Sequence, residues 1–119
     1  MQAEVRHHFA VHFRYQQVIV RGELGDALKA PSGVTFLPYL SGERTPHNDA
    51  AIRGAFFGLG HESSRTVLTQ AVLEGVSFAI RDSLEALESA GTVLTRVTAI
   101  GGGSRSRYWL KSIATALNL

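Results

Sequence analysis

Three consecutive glycines, Gly101, Gly102 and Gly103, stand between an apolar run and a helix-forming one, and they constrain this chain more than any other stretch. Ahead of them Val97, Ala99 and Ile100 read as a short buried strand. Behind them Ser104 reads as an N-cap, with a helix from Arg105 onward. Successive glycines let a backbone adopt conformations closed to other residues and approach a ligand closely. A helix that begins at such a turn offers N–H groups and a partial positive charge, which together suit an anion such as a phosphate. The same residues would also serve a plain connection between any strand and any helix, so the turn alone leaves both readings open.

The segments around the turn supply the fold class. Ser63 or Ser64 can cap a long helix that reaches about Ser89. Within it Leu68, Ala71, Val72, Gly75, Val76, Ala79, Ile80, Leu84 and Leu87 recur at spacings of three and four, and Gly91 ends it. Residues 95–100 return to strand character. In the last helix Tyr108, Trp109, Ile113, Ala116 and Leu117 supply a core face, with Trp109 read as packing rather than as a platform for a base. Helix, strand, glycine turn and helix in this order imply an α/β unit with a parallel sheet, whose ligands sit at the carboxyl ends of its strands.

Upstream, residues 22–32 read as a connector with a helical turn from Leu24 to Leu28. Val34, Thr35, Phe36 and Leu37 follow as a short strand, stopped by Pro38 because proline has no donor for the ladder. Residues 54–59, GAFFGL, suit a strand packed closely against another backbone. Between these strands the polar loop 39–53 carries Glu43, Arg44, His47 and Asp49, an acid/base cluster in form. Solvated loops are normally rich in such groups, and Glu43 and Arg44 read better as pins that hold the loop by hydrogen bonds or an ion pair.

In residues 1–21, Val5, His7, Phe9, Val11, Phe13 and Tyr15 alternate with Arg6, His8, His12 and Arg14, which predicts a strand. Val18, Ile19 and Val20 suggest a second one. His8 and His12 share a face, but four residues along a strand separate them by roughly 13 Å. That is too far for one metal ion, so the histidines read as solvent-facing.

Composition narrows the function classes. A length of 119 residues gives room for one domain, and 45% hydrophobic with 18% charged residues is ordinary for a globular chain. The net charge of +2 comes from scattered basic groups, which argues against nucleic acid or an anionic membrane as a partner. Without cysteine there is no disulfide, thiolate metal site or cysteine nucleophile. No apolar run approaches the roughly 20 residues of a membrane span, and the first residues lack a signal-peptide core, so a cytoplasmic location is expected.

Three ordered stretches, GVTFLPYLSGERTPHNDAAIRGAFFGL, QAVLEGVSFAIRDSLEAL and AIGGGSRSRYWLKSIATALNL, resemble the carboxy-terminal domain of the FGGY carbohydrate kinases. The resemblance covers residues 33–119 and, through FLPYLSGERTPH and GGGSRSRYWLK, is strongest to the bacterial xylulokinases. It implies part of an actin-like ATPase (ribonuclease H-like) α/β domain with a mixed sheet and flanking helices. It also implies phosphorylation of D-xylulose to D-xylulose 5-phosphate with ATP and Mg. Residues 26–119 are then a partial kinase domain, and residues 1–25 remain unassigned.

By the same resemblance Gly102, Gly103, Ser104 and Arg107 are the cofactor-binding residues, in the family's adenosine motif. The sequence departs from the family pattern at Val67, where a polar residue is usual, and at Arg107, where some relatives carry asparagine. The family's catalytic aspartate, its first phosphate loop, its metal ligands and most of its sugar site are expected in segments outside this chain. A further strand and closing helix are expected after Leu119. Asp49 and Asp82 do not stand in the catalytic motif, so no catalytic residue and no metal ligand is assigned. The expectation is a kinase fragment that carries part of the ATP site and is inactive alone. The alternative is a non-catalytic binding or assembly module, pairing through an exposed sheet edge with a second copy or a companion chain.

Overall fold

The computed structural model describes residues 24–119 and the backbone of residues 7–13. The strand predicted from the alternating N-terminal pattern is present as β1, His7–Phe13. The run Val18, Ile19 and Val20, and the histidine side chains of β1, lie outside what is described. Two short strands follow, β2 (Thr35–Leu37) and β3 (Ala55–Phe57). Then come the long helix α1 (Arg65–Ser89), strand β4 (Leu94–Gly101), a 3-10 turn over Gly102–Arg105 and helix α2 (Arg107–Leu117).

The strands form two two-stranded sheets. β1 pairs parallel with β4, from His7 opposite Leu94 to Phe13 opposite Gly101, with an irregularity between His7 and His8. β2 and β3 pair antiparallel with Phe36 opposite Phe56, whose rings stack tilted at 4.6 Å between centroids. Parallel and antiparallel pairing therefore both occur in this α/β chain, but in separate sheets among the described residues.

Helix α1 begins where the serine pair predicts. Ser64 is extended (φ −80°, ψ 167°), and its Oγ accepts the Val67 N–H at 3.3 Å. It ends at Ala90, and Gly91 follows in the left-handed region at φ 89°. The buried line of α1 is not the expected apolar stripe. It runs Gln70, Leu73, Ser77, Ile80 and Leu84, alternating three- and four-residue steps, with Ala71 and Gly75 beside it. Leu73, fully buried, was absent from the expected stripe, because the true line passes through two polar residues. Both are satisfied: Ser77 Oγ donates to the Leu73 carbonyl at 2.8 Å and meets Ser112 Oγ at 3.1 Å, and Gln70 bonds to Ala30 and Glu74.

The core gathers Leu24, Leu73, Ile80 and Leu84 against Tyr108, Trp109, Ile113 and Leu117 of α2, with Val76, Leu94 and Val97 packed on its rim. Trp109 is 2% exposed, as its packing role predicts. On another side of α1, Gly75 lies directly under the Phe36 carbonyl, in the space any side chain would need. That close approach lets β2 sit against the helix.

Three local expectations are corrected. The turn expected over residues 24–28 is helical only at Leu24, because Gly25 takes φ 69° and leaves the helical region. The strand before the glycines is not buried: Val97 and Ala99 are half-buried and Ile100 is 39% exposed. The cap of the last helix is Ser106 rather than Ser104, since the 3-10 turn delays the helix start to Arg107. Among the described residues no helix is long and apolar enough to cross a membrane.

Candidate functional site

The site begins at Gly101, the last residue of β4, which takes φ 86° and ψ −171°. That conformation is essentially restricted to glycine, so the identity of residue 101 decides how the chain leaves the sheet. The sharp exit brings the Ser104 hydroxyl back over its own strand, where it donates to the Gly101 carbonyl at 2.7 Å. The Ser106 N–H then closes on the Gly103 carbonyl at 3.0 Å, completing the 3-10 turn. Ser106 Oγ accepts the Trp109 N–H at 3.2 Å and caps α2.

The predicted residues Gly102, Gly103 and Ser104 thus share one 3-10 turn, and Arg107 is the first residue of α2. Gly103 is buried, Gly102 and Ser104 are half-buried, and Arg105 and Arg107 are exposed. All of them stand at the carboxyl end of a parallel strand and at the positive end of a helix, with two guanidinium-bearing residues alongside. This donor set suits a polyphosphate: backbone amides, a helix N-terminus and cationic side chains.

Sequence reading missed Ser106, although its spacing of three from Trp109 matches a cap as well as the spacing of Ser104 from Arg107 does. The signal that would separate the two is the start of the apolar face at Tyr108 and Trp109. Behind the turn Tyr108 is 1% exposed. Its phenol is held above the usual tyrosine range, first by burial and further by the Glu74 carboxylate, while a backbone hydrogen bond from Lys29 pulls the other way.

The polar loop 39–53 is a second cluster of titratable groups, and its carboxylates are occupied in holding the backbone. Glu43 Oε2 accepts the His47 N–H at 2.7 Å, while Glu43 and Asp49 exchange backbone bonds at 2.9 and 2.8 Å. Asp49 Oδ1 accepts from the N–H groups of Ala51 at 2.7 Å and Ile52 at 3.2 Å. Tyr39 Oη lies 3.2 Å from His47 Nε2 with the rings edge to face, and the Ser83 hydroxyl of α1 reaches the Thr45 carbonyl at 3.1 Å. Glu43 is the pin expected of it, and Arg44 contributes its carbonyl to the Asn48 N–H. Burial raises the Tyr39 phenol above its ordinary range, and the Asp82 and Glu43 carboxylates add to that.

A groove of about 340 Å³ opens between α1 and α2, lined among others by Lys29, Glu74, Phe78, Arg81, Tyr108 and Ser112. It shares Tyr108 with the region behind the turn and none of the four predicted site residues.

Residues 20–119 match the C-terminal domain of the FGGY family of carbohydrate kinases. Xylulose kinase of Escherichia coli K12 is 51% identical over 81 residues, 68% of this chain and 17% of that protein. Xylulose kinase of Staphylococcus epidermidis is 42% identical over 88 residues, 74% of this chain and 18% of that protein. The crystal structure of a xyloylose kinase from Brucella ovis superposes with a TM-score of 0.80 at 72% identity, covering 84% of this chain and 21% of that one. The chain therefore spans about a fifth of the length of the relatives it matches.

Proposed function

This chain belongs to the FGGY family of carbohydrate kinases, matching its C-terminal domain, and on that premise we propose that residues 101–107 form part of the ATP site of a kinase that phosphorylates D-xylulose to D-xylulose 5-phosphate. The observation that carries the reading is the path of the chain. A parallel strand passes through a glycine-only conformation at Gly101 into a short turn and a serine-capped helix. Gly102 and Gly103 permit close approach of the nucleotide, Ser104 stands on the turn with its hydroxyl on the Gly101 carbonyl, and Arg107 adds charge at the first helical position. Mg would arrive with ATP and polarise the transferred phosphate, and no residue of this chain is assigned as its ligand. The choice of sugar rests on the named relatives.

Phosphoryl transfer depends on positioning a base, metal and acceptor in line with the phosphate. In this chain the Asp49 carboxylate is engaged by two backbone amides and Glu43 by a third. The 119 residues alone are accordingly proposed to bind nucleotide without turning over sugar.

The test is a two-dimensional amide NMR spectrum of the chain with and without MgATP, paired with an assay for xylulose-dependent ADP release. Shifts confined to residues 101–108, with no ADP release, are expected. Dispersed peaks that ignore MgATP would overturn the nucleotide reading, and turnover would overturn the inactivity. The former result, combined with concentration-dependent broadening along β4, would favour the assembly module. That reading draws on β4 pairing only with β1 among the described residues.

A further inference from the structure

Residues 26–32 run beside both helices and are tied to each. On the α1 side Gln70 is 5% exposed, and its Nε2 donates to the Ala30 carbonyl at 2.6 Å and to Glu74 Oε1 at 2.7 Å. Ser32 Oγ reaches the other Glu74 oxygen at 3.3 Å and the Val34 carbonyl at 2.9 Å. On the α2 side Lys111 Nζ donates to the Asp26 carbonyl at 2.9 Å, and Lys29 and buried Tyr108 line the same groove between the helices.

A glutamine at a buried helix position is costly unless its amide finds hydrogen-bond partners, and a leucine there would extend the apolar line at no such cost. The Gln70 amide spends its donors on a carbonyl forty residues away in sequence and on the carboxylate one helical turn along. Tyr108 directly follows Arg107 and stands two residues past the cap Ser106. Whatever fixes its ring therefore fixes the first turn of α2 and, through the bond from Ser106 to Gly103, the glycine turn behind it.

We propose that residues 26–32 act as a strap between the two helices, and that Gln70 is a positioning residue that holds the nucleotide turn in place through Ala30, Lys29 and Tyr108. The nucleotide part of this rests on the function proposed above; the mechanical link from Gln70 to the turn does not.

Hydrogen exchange and MgATP titration on the full 119-residue chain and on Gln70→Leu test both parts separately. Exchange at the amides of Ser106, Trp109 and Leu110 is expected to quicken about tenfold relative to those of Ile80 and Leu84 in α1, with nucleotide affinity falling by a similar factor. Exchange that is unchanged at those three amides, or that quickens equally in α1, overturns the strap, because a merely structural loss would loosen both helices together. Should Gln70→Leu not fold, Lys111→Met cuts the exposed end of the strap and is expected to give the same pattern at about threefold, with the same result overturning it. If the unaltered chain ignores MgATP, the proposed function falls, and the exchange pattern still decides the strap.

Discussion

The glycine turn and the loop 39–53 are both polar connections, yet they are held in opposite ways. The turn is settled within six residues: Gly101 sets the exit, Ser104 bonds to Gly101, and Ser106 caps the helix it starts. The loop needs distant help, because it is fifteen residues long and its own carboxylates must close it on themselves. Glu43 and Asp49 do so, and Ser83 of α1 fastens the middle. A connection held by local dihedrals is rigid with few side chains, whereas one held by carboxylates is a small network whose titratable groups are already engaged. That difference is why the turn, with its amides at a helix start, is the better candidate for a ligand site.

The largest expected effect comes from the residue that makes the turn local. Gly101→Val forces a branched side chain into a conformation nearly exclusive to glycine and should cost about 3 kcal/mol, read from the urea midpoint. A loss below about 0.5 kcal/mol would mean that the turn does not depend on that glycine.

A smaller effect separates the two serines. Ser106→Ala should cost about 1 kcal/mol as a lost N-cap, while Ser104→Ala, on a half-buried hydroxyl, should cost no more than about 0.5 kcal/mol. Equal losses in thermal unfolding would erase the distinction between turn and cap.

The smallest effect compares the regions through their tyrosines. Tyr108 behind the turn and Tyr39 in the loop both hold their protons above the ordinary value of 10.0 when folded. Each therefore contributes stability that is complete below pH 10.0 and is lost as pH rises through the folded value, since the folded state then binds protons that the unfolded state has released. Alkaline denaturation should be blunted more by Tyr108→Phe than by Tyr39→Phe, because Tyr108 is 1% exposed and Tyr39 only half-buried. The reverse order in a pH series of urea midpoints would show the loop to be the more tightly closed region.

Much of the fold was legible because its signals are local. Ser64 followed by a long run of three- and four-residue spacings located α1, and Gly91 marked its end. Pro38 ended β2, GAFFGL located β3, and the alternation in residues 7–13 located β1. The candidate site residues were legible as a contiguous motif, with the cap misassigned because two serines two positions apart satisfy the same local rule. The 3-10 turn that chooses between them follows from how Gly101 leaves the sheet.

The sequence by itself determined the α/β class, the family and the position of the glycine turn, since each is written in neighbouring residues or in long ordered motifs. The tertiary structure alone decided which line of α1 faces inward. Periodicity counts apolar residues, and the buried line includes Gln70 and Ser77, whose partners Ala30 and Ser112 lie 40 and 35 residues away. It also decided that Gly75 must be glycine, because the Phe36 carbonyl that presses on it comes from a strand 39 residues earlier. A polar group inside a helix is read as exposed until its partner is known, and only the folded chain brings that partner near.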